Sequence, residues 1–138
     1  MVGYSGTPLA SKLGLKAPLT LVTLGAPREY ATWLGDIPDG VRLVSKTKGS
    51  VRAVHMFVTK SADMGKHLAT LRKSLEPTGF VWVSWPKKAS KVATDITEQT
   101  IRDVALPMGF VDIKVCAVSE IWSGLKLVIR KSERSRQT

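Results

Sequence analysis

The chain is poor in the residues that carry chemistry on their own. It has one cysteine, Cys116, so no internal disulfide can form, and two histidines, His55 and His67, far from each other and from the cysteine. A zinc site needs three or four ligands at workable spacing, and no such set is visible. Acids are scarce: 11 Asp and Glu stand against 21 Lys and Arg, a formal net charge of +10. No apolar run approaches the ~20 residues of a membrane helix. The N-terminus, MVGYSGTPLASKLG, has no basic stretch leading into an apolar one, so no signal peptide and no membrane partner are expected, and the localisation read from this is cytoplasmic. There is no G-x-S-x-G elbow, no G-x-G-x-x-G turn, no repeat and no low-complexity block.

What is present is a regular alternation of strand and helix signals. With 138 residues and 43% hydrophobic content the chain suits one domain with a core of its own. TPLASKLG (7–14) reads as a short helix, with Thr7 as cap and Pro8 at the first helical position. LTLVTL (19–24) is a continuous apolar run of the kind buried on both faces of a parallel sheet. REYATWL (28–34) reads as a helix, VRLVS (41–45) and AVHMFVT (53–59) as strands. Ser61 caps a longer helix in which Met64, Leu68, Leu71 and Leu75 share one face, with Pro77 and Gly79 ending it. FVWVSW (80–85) is the fourth strand. TEQTIRDVAL follows as a helix with Ile101, Val104 and Ala105 inward. VDIKVCAV (111–118) and LKLVIR (125–130) alternate on either side of EIWSG and read as an antiparallel hairpin at the sheet edge. The whole is an α/β three-layer sandwich with a mostly parallel sheet, over residues 1–131, followed by a basic tail at 132–138.

The stretch VSWPKKASKVATDIT (83–97) leaves the fourth strand at its carboxyl end, where ligands of such sheets bind. Lys87, Lys88 and Lys91 bring three charges within five residues. Ser84, Ser90 and Thr94 add hydroxyls, Asp95 or Thr97 can cap the next helix, and Trp85 could offer a stacking face. Gly25, at the end of the first strand, lets backbone come close to a ligand. Gly25, Trp85, Lys87, Lys88, Ser90, Lys91 and Asp95 are therefore the candidate ligand-binding set. His55 reads as a half-buried strand residue and Cys116 as a small buried hydrophobe.

The order of elements resembles the methyltransferase-type Rossmann-like fold. A helix precedes the first strand, LRKSLEPTGFVWV enters a central strand through Leu-x-Pro-x-Gly, and a hairpin closes the chain. That resemblance implies an acid and several glycines after the first strand, and an acid ending the second, to hold S-adenosylmethionine. Here Thr23, Pro27 and Glu29 stand in the first place, and Ser45 and Lys46 in the second. On those motifs no cofactor is expected, neither S-adenosylmethionine nor NAD. The chain is also similar, in GYSGTPL, WPKKAS and VCAV-x-E-x-WSGL, to a small bacterial protein family; that resemblance implies no activity and marks no catalytic residue.

The function expected from these residues is a non-catalytic module binding an anionic small molecule or partner through the lysine loop. Non-specific nucleic-acid binding by charge is the second reading, and an enzyme with a divergent cofactor pocket the third.

Overall fold

The structure, a computed structural model, describes residues 8–46 and 49–134. Six strands form one sheet in the order β2-β1-β3-β4-β6-β5. They are β1 (Leu19–Leu24), β2 (Val41–Val44), β3 (Val51–Phe57), β4 (Leu75–Pro86), β5 (Phe110–Ala117) and β6 (Trp122–Ile129). The first four are parallel, while β6 runs antiparallel to both β4 and β5. Helices α1 (Leu9–Leu13) and α2 (Tyr30–Leu34) lie on one face, α3 (Ser61–Ser74) and α4 (Glu98–Ala105) on the other. This is the mostly parallel, Rossmann-like α/β sandwich with an antiparallel carboxyl-terminal hairpin.

Side-chain alternation divides the core in two. Val22, Val54, Met56, Val81, Val83 and Trp85 meet Met64, Leu68 and Leu71 of α3 and Ile101 and Ala105 of α4. Leu21, Ala53, Phe57 and Trp82 meet Leu9, Leu13, Tyr30 and Leu34 on the opposite face. Successive strand residues point to opposite faces, which is why Trp82 and Trp85 join different clusters. Trp82 has no exposed surface, and its indole N–H donates to the Leu13 carbonyl at 2.9 Å, tying α1 to the central strand.

Several boundaries differ from expectation. The α3 helix stops at Ser74, and Leu75, the last member of its apolar stripe, instead opens β4 and pairs with Val51. The Pro77–Gly79 stretch is therefore strand, not helix end; a Cβ at Gly79 would lie 2.6 Å from the Arg52 carbonyl oxygen, so the two chains touch there. Trp122, Ser123 and Gly124 are strand residues opposite Pro86, Trp85 and Ser84, and the hairpin turns earlier, at Val118–Ile121. Ser61 is the first residue of α3, not its cap. Thr7 lies outside the described residues. Beyond β6, Lys131–Arg134 forms a helical turn held by Arg134 Nε donating to Ile129 O at 2.8 Å and by the Arg72–Glu133 ion pair at 3.4 Å. Glu133 and Arg134 thus lie against the domain, and 135–138 fall outside the described residues. No helix among the described residues is long and apolar enough to cross a membrane.

After β1 the chain passes to β2 on one side; after β2 it returns to β3 on the other side of β1. The strand order therefore reverses between β1 and β3, and the crevice beyond their carboxyl ends is where an open α/β sheet offers a ligand site.

Candidate functional site

The exit of β1 is shaped by Gly25. Its φ of 68° is left-handed, and a Cβ there would meet the Phe57 carbonyl oxygen at 2.9 Å, so only glycine lets this turn run against the end of β3. The chain then crosses Pro27 and Glu29 into α2. Across from it, Val118 and Ser119 donate their amides to the Trp122 carbonyl, closing the β5–β6 turn. The buried Ser119 hydroxyl accepts from the Ile121 and Trp122 amides at 3.1 Å each, which fixes how Glu120 and Ile121 are presented. Between these two segments lies a cavity of about 430 Å³ lined by Pro27, Glu29, Trp33, Ser119, Glu120, Ile121 and Trp122. That volume falls within the ~300–1,000 Å³ common for small-molecule sites.

Behind the pocket runs a chain of buried rings and hydroxyls. Trp122 meets Phe57 edge-on at 5.1 Å, and Phe57 stacks on His55 at 4.4 Å. His55 Nδ1 shares a 2.7 Å hydrogen bond with the Tyr30 hydroxyl, and its Nε2 one of 2.7 Å with the Ser84 hydroxyl. His55 is fully buried, not half-buried as the sequence suggests, and burial holds its pKa down to about 3. The ring is therefore neutral, with one donor and one acceptor, so the protons run one way along Tyr30–His55–Ser84. Burial, with a smaller electrostatic contribution from Cys116, pushes the Tyr30 phenol above its ordinary pKa. Ser84 is spent here and offers no hydroxyl to the lysine loop.

The residues singled out from the sequence are only partly brought together. Trp85 is 7% exposed and packs in the α3/α4 core, so it presents no stacking face. Asp95 reaches the start of α3, accepting from the Ser61 amide at 2.7 Å and the Ser61 hydroxyl at 2.9 Å. Those bonds hold its carboxyl below the usual range, and they put a carboxylate where an anion would otherwise meet the amides of this helix. Thr97 caps α4 in a reciprocal box with Thr100. Ser90 donates to the Lys87 carbonyl at 2.7 Å, and Thr94 to the Thr59 carbonyl at 2.6 Å. The Ser90 hydroxyl thus closes the loop on itself, and the Thr94 hydroxyl ties it to the exit of β3. Lys88 and Lys91 are exposed and Lys87 half-exposed; the Lys87 amide donates to Ile121 O at 2.7 Å, joining this loop to the turn that walls the pocket.

Because that bond uses only backbone, the double variant Lys87→Ala/Lys88→Ala is expected to change stability by less than ~0.5 kcal/mol. Asp95→Ala, which uncaps α3, is expected to melt measurably lower than the double variant. Parallel thermal melts of the two check the contrast; equal losses would place the lysine side chains in the fold's support.

A larger cavity, about 640 Å³, opens on the sheet face beside Thr20, Val22, Arg42, Val44 and Arg52. Its remaining walls are Pro18, Leu19, Ser50, Val51 and Glu76, toward the starting ends of the strands, and Lys46, past the carboxyl end of β2, so it runs along the sheet face and only its Val44–Lys46 rim nears the carboxyl ends.

No family model matches the chain, and no curated protein matches it. Solved structures do. A Sulfolobus solfataricus protein provisionally assigned as a type 11 methyltransferase superposes with a TM-score of 0.60 at 14% identity, over 91% of each chain. A SAM dependent methyltransferase from Aquifex aeolicus gives 0.57 at 15% identity, over 88% of this chain and 87% of that one. The Methanococcus jannaschii fibrillarin pre-rRNA processing protein gives 0.54 at 12% identity, over 88% and 73%. At these identities the likeness is one of fold, and it is a methyltransferase-like fold. The expectation of a non-catalytic binding module is corrected by this finding: two of these three similar structures are named as methyltransferases, and what they share with this chain is the fold.

Proposed function

We propose that this chain is an enzyme of the methyltransferase-type fold whose cofactor pocket has diverged, and that the pocket is the one between Pro27 and Trp122. The observation that carries the reading is its position, at the carboxyl-terminal edge of the parallel strands, between the segment leaving β1 and the β5–β6 turn, on the side of an open α/β sheet where ligands bind.

An adenosyl methyl donor combines cationic groups, a ribose with hydroxyls, and a flat purine. The places where the fold resemblance leads one to seek carboxylates do not supply them. The Thr23 hydroxyl donates to the Val44 carbonyl at 3.4 Å, and Lys46 is an exposed cation. The adjoining pocket does: Glu29 and Glu120 would accept hydroxyl or ammonium protons, and Trp33 and Trp122 would flank a planar ring. A bound donor supplies an electrophilic methyl group. The chain's own part is to hold and orient it, with Trp122 braced from behind by Phe57 and the Tyr30–His55–Ser84 chain. The basic surface around Lys87, Lys88 and Lys91 suits a phosphate-rich acceptor or partner, held by contacts that weaken steeply with salt.

Calorimetric titration with S-adenosylmethionine tests the reading. Saturable binding to the wild type, weakened in Trp122→Leu, is the expected result. Absence of binding by both S-adenosylmethionine and S-adenosylhomocysteine would remove it.

A further inference from the structure

We infer that the pocket between Pro27 and Trp122 selects its ligand for positive charge, taking an onium centre (an alkylated ammonium or a sulfonium) against the tryptophan faces and the two glutamates; this rests on the enzyme reading above. The observation is the pocket's composition against that of the chain. A protein of net charge +10 lines this one cavity with Glu29 and Glu120 as its only charged residues. Its two aromatic walls, Trp33 and Trp122, are of the residue type that binds cations best through the ring face. Arg28 adjoins Glu29 in the chain and the Lys87 amide bonds to Ile121 O, yet neither lines the cavity.

The geometry also explains why an organic cation suits the site better than a small hydrated one. Ile121 and Pro27 add apolar wall, and the one other polar lining residue, Ser119, already accepts from the Ile121 and Trp122 amides, so a strongly hydrated ion would surrender water without enough oxygen ligands in return. An alkylated onium carries its charge on a weakly hydrated, apolar surface, which matches a lining of two tryptophans and two glutamates. The Trp122 ring is set in advance by Phe57 at 5.1 Å and by the turn bonds that grip its amide and carbonyl. Little ordering is left for the ligand to impose.

The test is calorimetry at low ionic strength, where screening is weak, with two matched pairs. Choline is compared with 3,3-dimethylbutan-1-ol, which replaces its charged nitrogen by carbon. S-adenosylmethionine is compared with S-adenosylhomocysteine, which lacks the sulfonium. The charged member of at least one pair is expected to bind about tenfold or more tightly than its neutral counterpart. The exposed double variant Glu29→Gln/Glu120→Gln is expected to abolish that preference. Trp33→Leu and Trp122→Leu are each expected to weaken the charged ligand by about 5- to 30-fold, thermal melts confirming that the variants fold. Preference for choline over its neutral analogue, with neither S-adenosyl compound bound, makes an alkylammonium the source and removes the donor reading while upholding charge selection. Equal binding within both pairs, with the S-adenosyl compounds sensitive to Trp122→Leu, overturns charge selection and leaves the enzyme reading standing. Binding by none of the four overturns both.

Discussion

Trp82→Ala is expected to cost the fold about 5 kcal/mol, enough to unfold a domain of ordinary stability. The estimate has two parts. Truncating a fully buried aromatic removes its transfer energy and leaves a cavity, together about 3–5 kcal/mol. The indole N–H also satisfies the Leu13 carbonyl at the end of α1, and orphaning that buried acceptor adds about 1–3 kcal/mol. Trp82→Phe separates the two, because it keeps most of the ring and loses the donor; its cost should be nearer the second figure. Denaturant midpoints for both variants check this. A loss below about 2 kcal/mol in Trp82→Ala would mean that α1 is not anchored through this residue.

The second large effect is at His55. His55→Leu keeps the site apolar but strands the Tyr30 and Ser84 hydroxyls in the core, at about 1–3 kcal/mol each. It should also remove a pH dependence. The folded protein holds His55 near pKa 3, while the unfolded chain takes up the proton near the ordinary 6.5. Between those values the unfolded state binds more protons, so stability falls as pH falls, by about 1.4 kcal/mol per unit, and levels off below the folded pKa. Asp95, held low in the fold, adds a loss of the same sign in the acid range. Unfolding measured from pH 7 to pH 5, above the carboxylate window, isolates the histidine. The wild type should lose about 2 kcal/mol across that range and His55→Leu should be nearly flat. A flat wild-type profile would mean that His55 is solvated or charged in the folded protein.

The parts of the fold legible in the sequence were those set by local pattern. LTLVTL is bounded by proline and glycine and forms β1 over the expected residues. The Met64, Leu68 and Leu71 stripe of α3 faces the core as its period demands. Leu75 fitted the same period and is nevertheless strand, because pairing with Val51 outweighs one more helical turn. Periodicity says which face is apolar, not where a partner strand captures the chain.

The site was less legible for a related reason. Charge clusters locally at Lys87, Lys88 and Lys91, so a sequence pattern singles out their loop. The hydroxyls and Asp95 that seemed to complete an anion site are matched by groups close by or 34–35 residues back, at Thr59 and Ser61. No short-range pattern announces such bonds. Tyr30, His55 and Ser84 are likewise brought together only because β3 sits beside β4 and beneath α2. The pocket needs Trp33 beside Trp122, residues from the two ends of the chain. The one sequence clue to it was the Glu120-Ile121-Trp122 run, which looked like a turn and proved to be a turn leading straight into a strand.

If the pocket between Pro27 and Trp122 is the working site, the indole N–H signals of the protein report its occupation directly. The chain has four tryptophans. Trp82 and Trp85 are buried in the two core clusters, while Trp33 and Trp122 line the pocket. Titration with S-adenosylmethionine, followed by nuclear magnetic resonance on nitrogen-labelled protein, is predicted to move the Trp33 and Trp122 indole signals along one saturating curve and to leave those of Trp82 and Trp85 in place. Movement confined to Trp85 and the backbone amides of residues 87–97, with Trp33 and Trp122 unmoved, would contradict it.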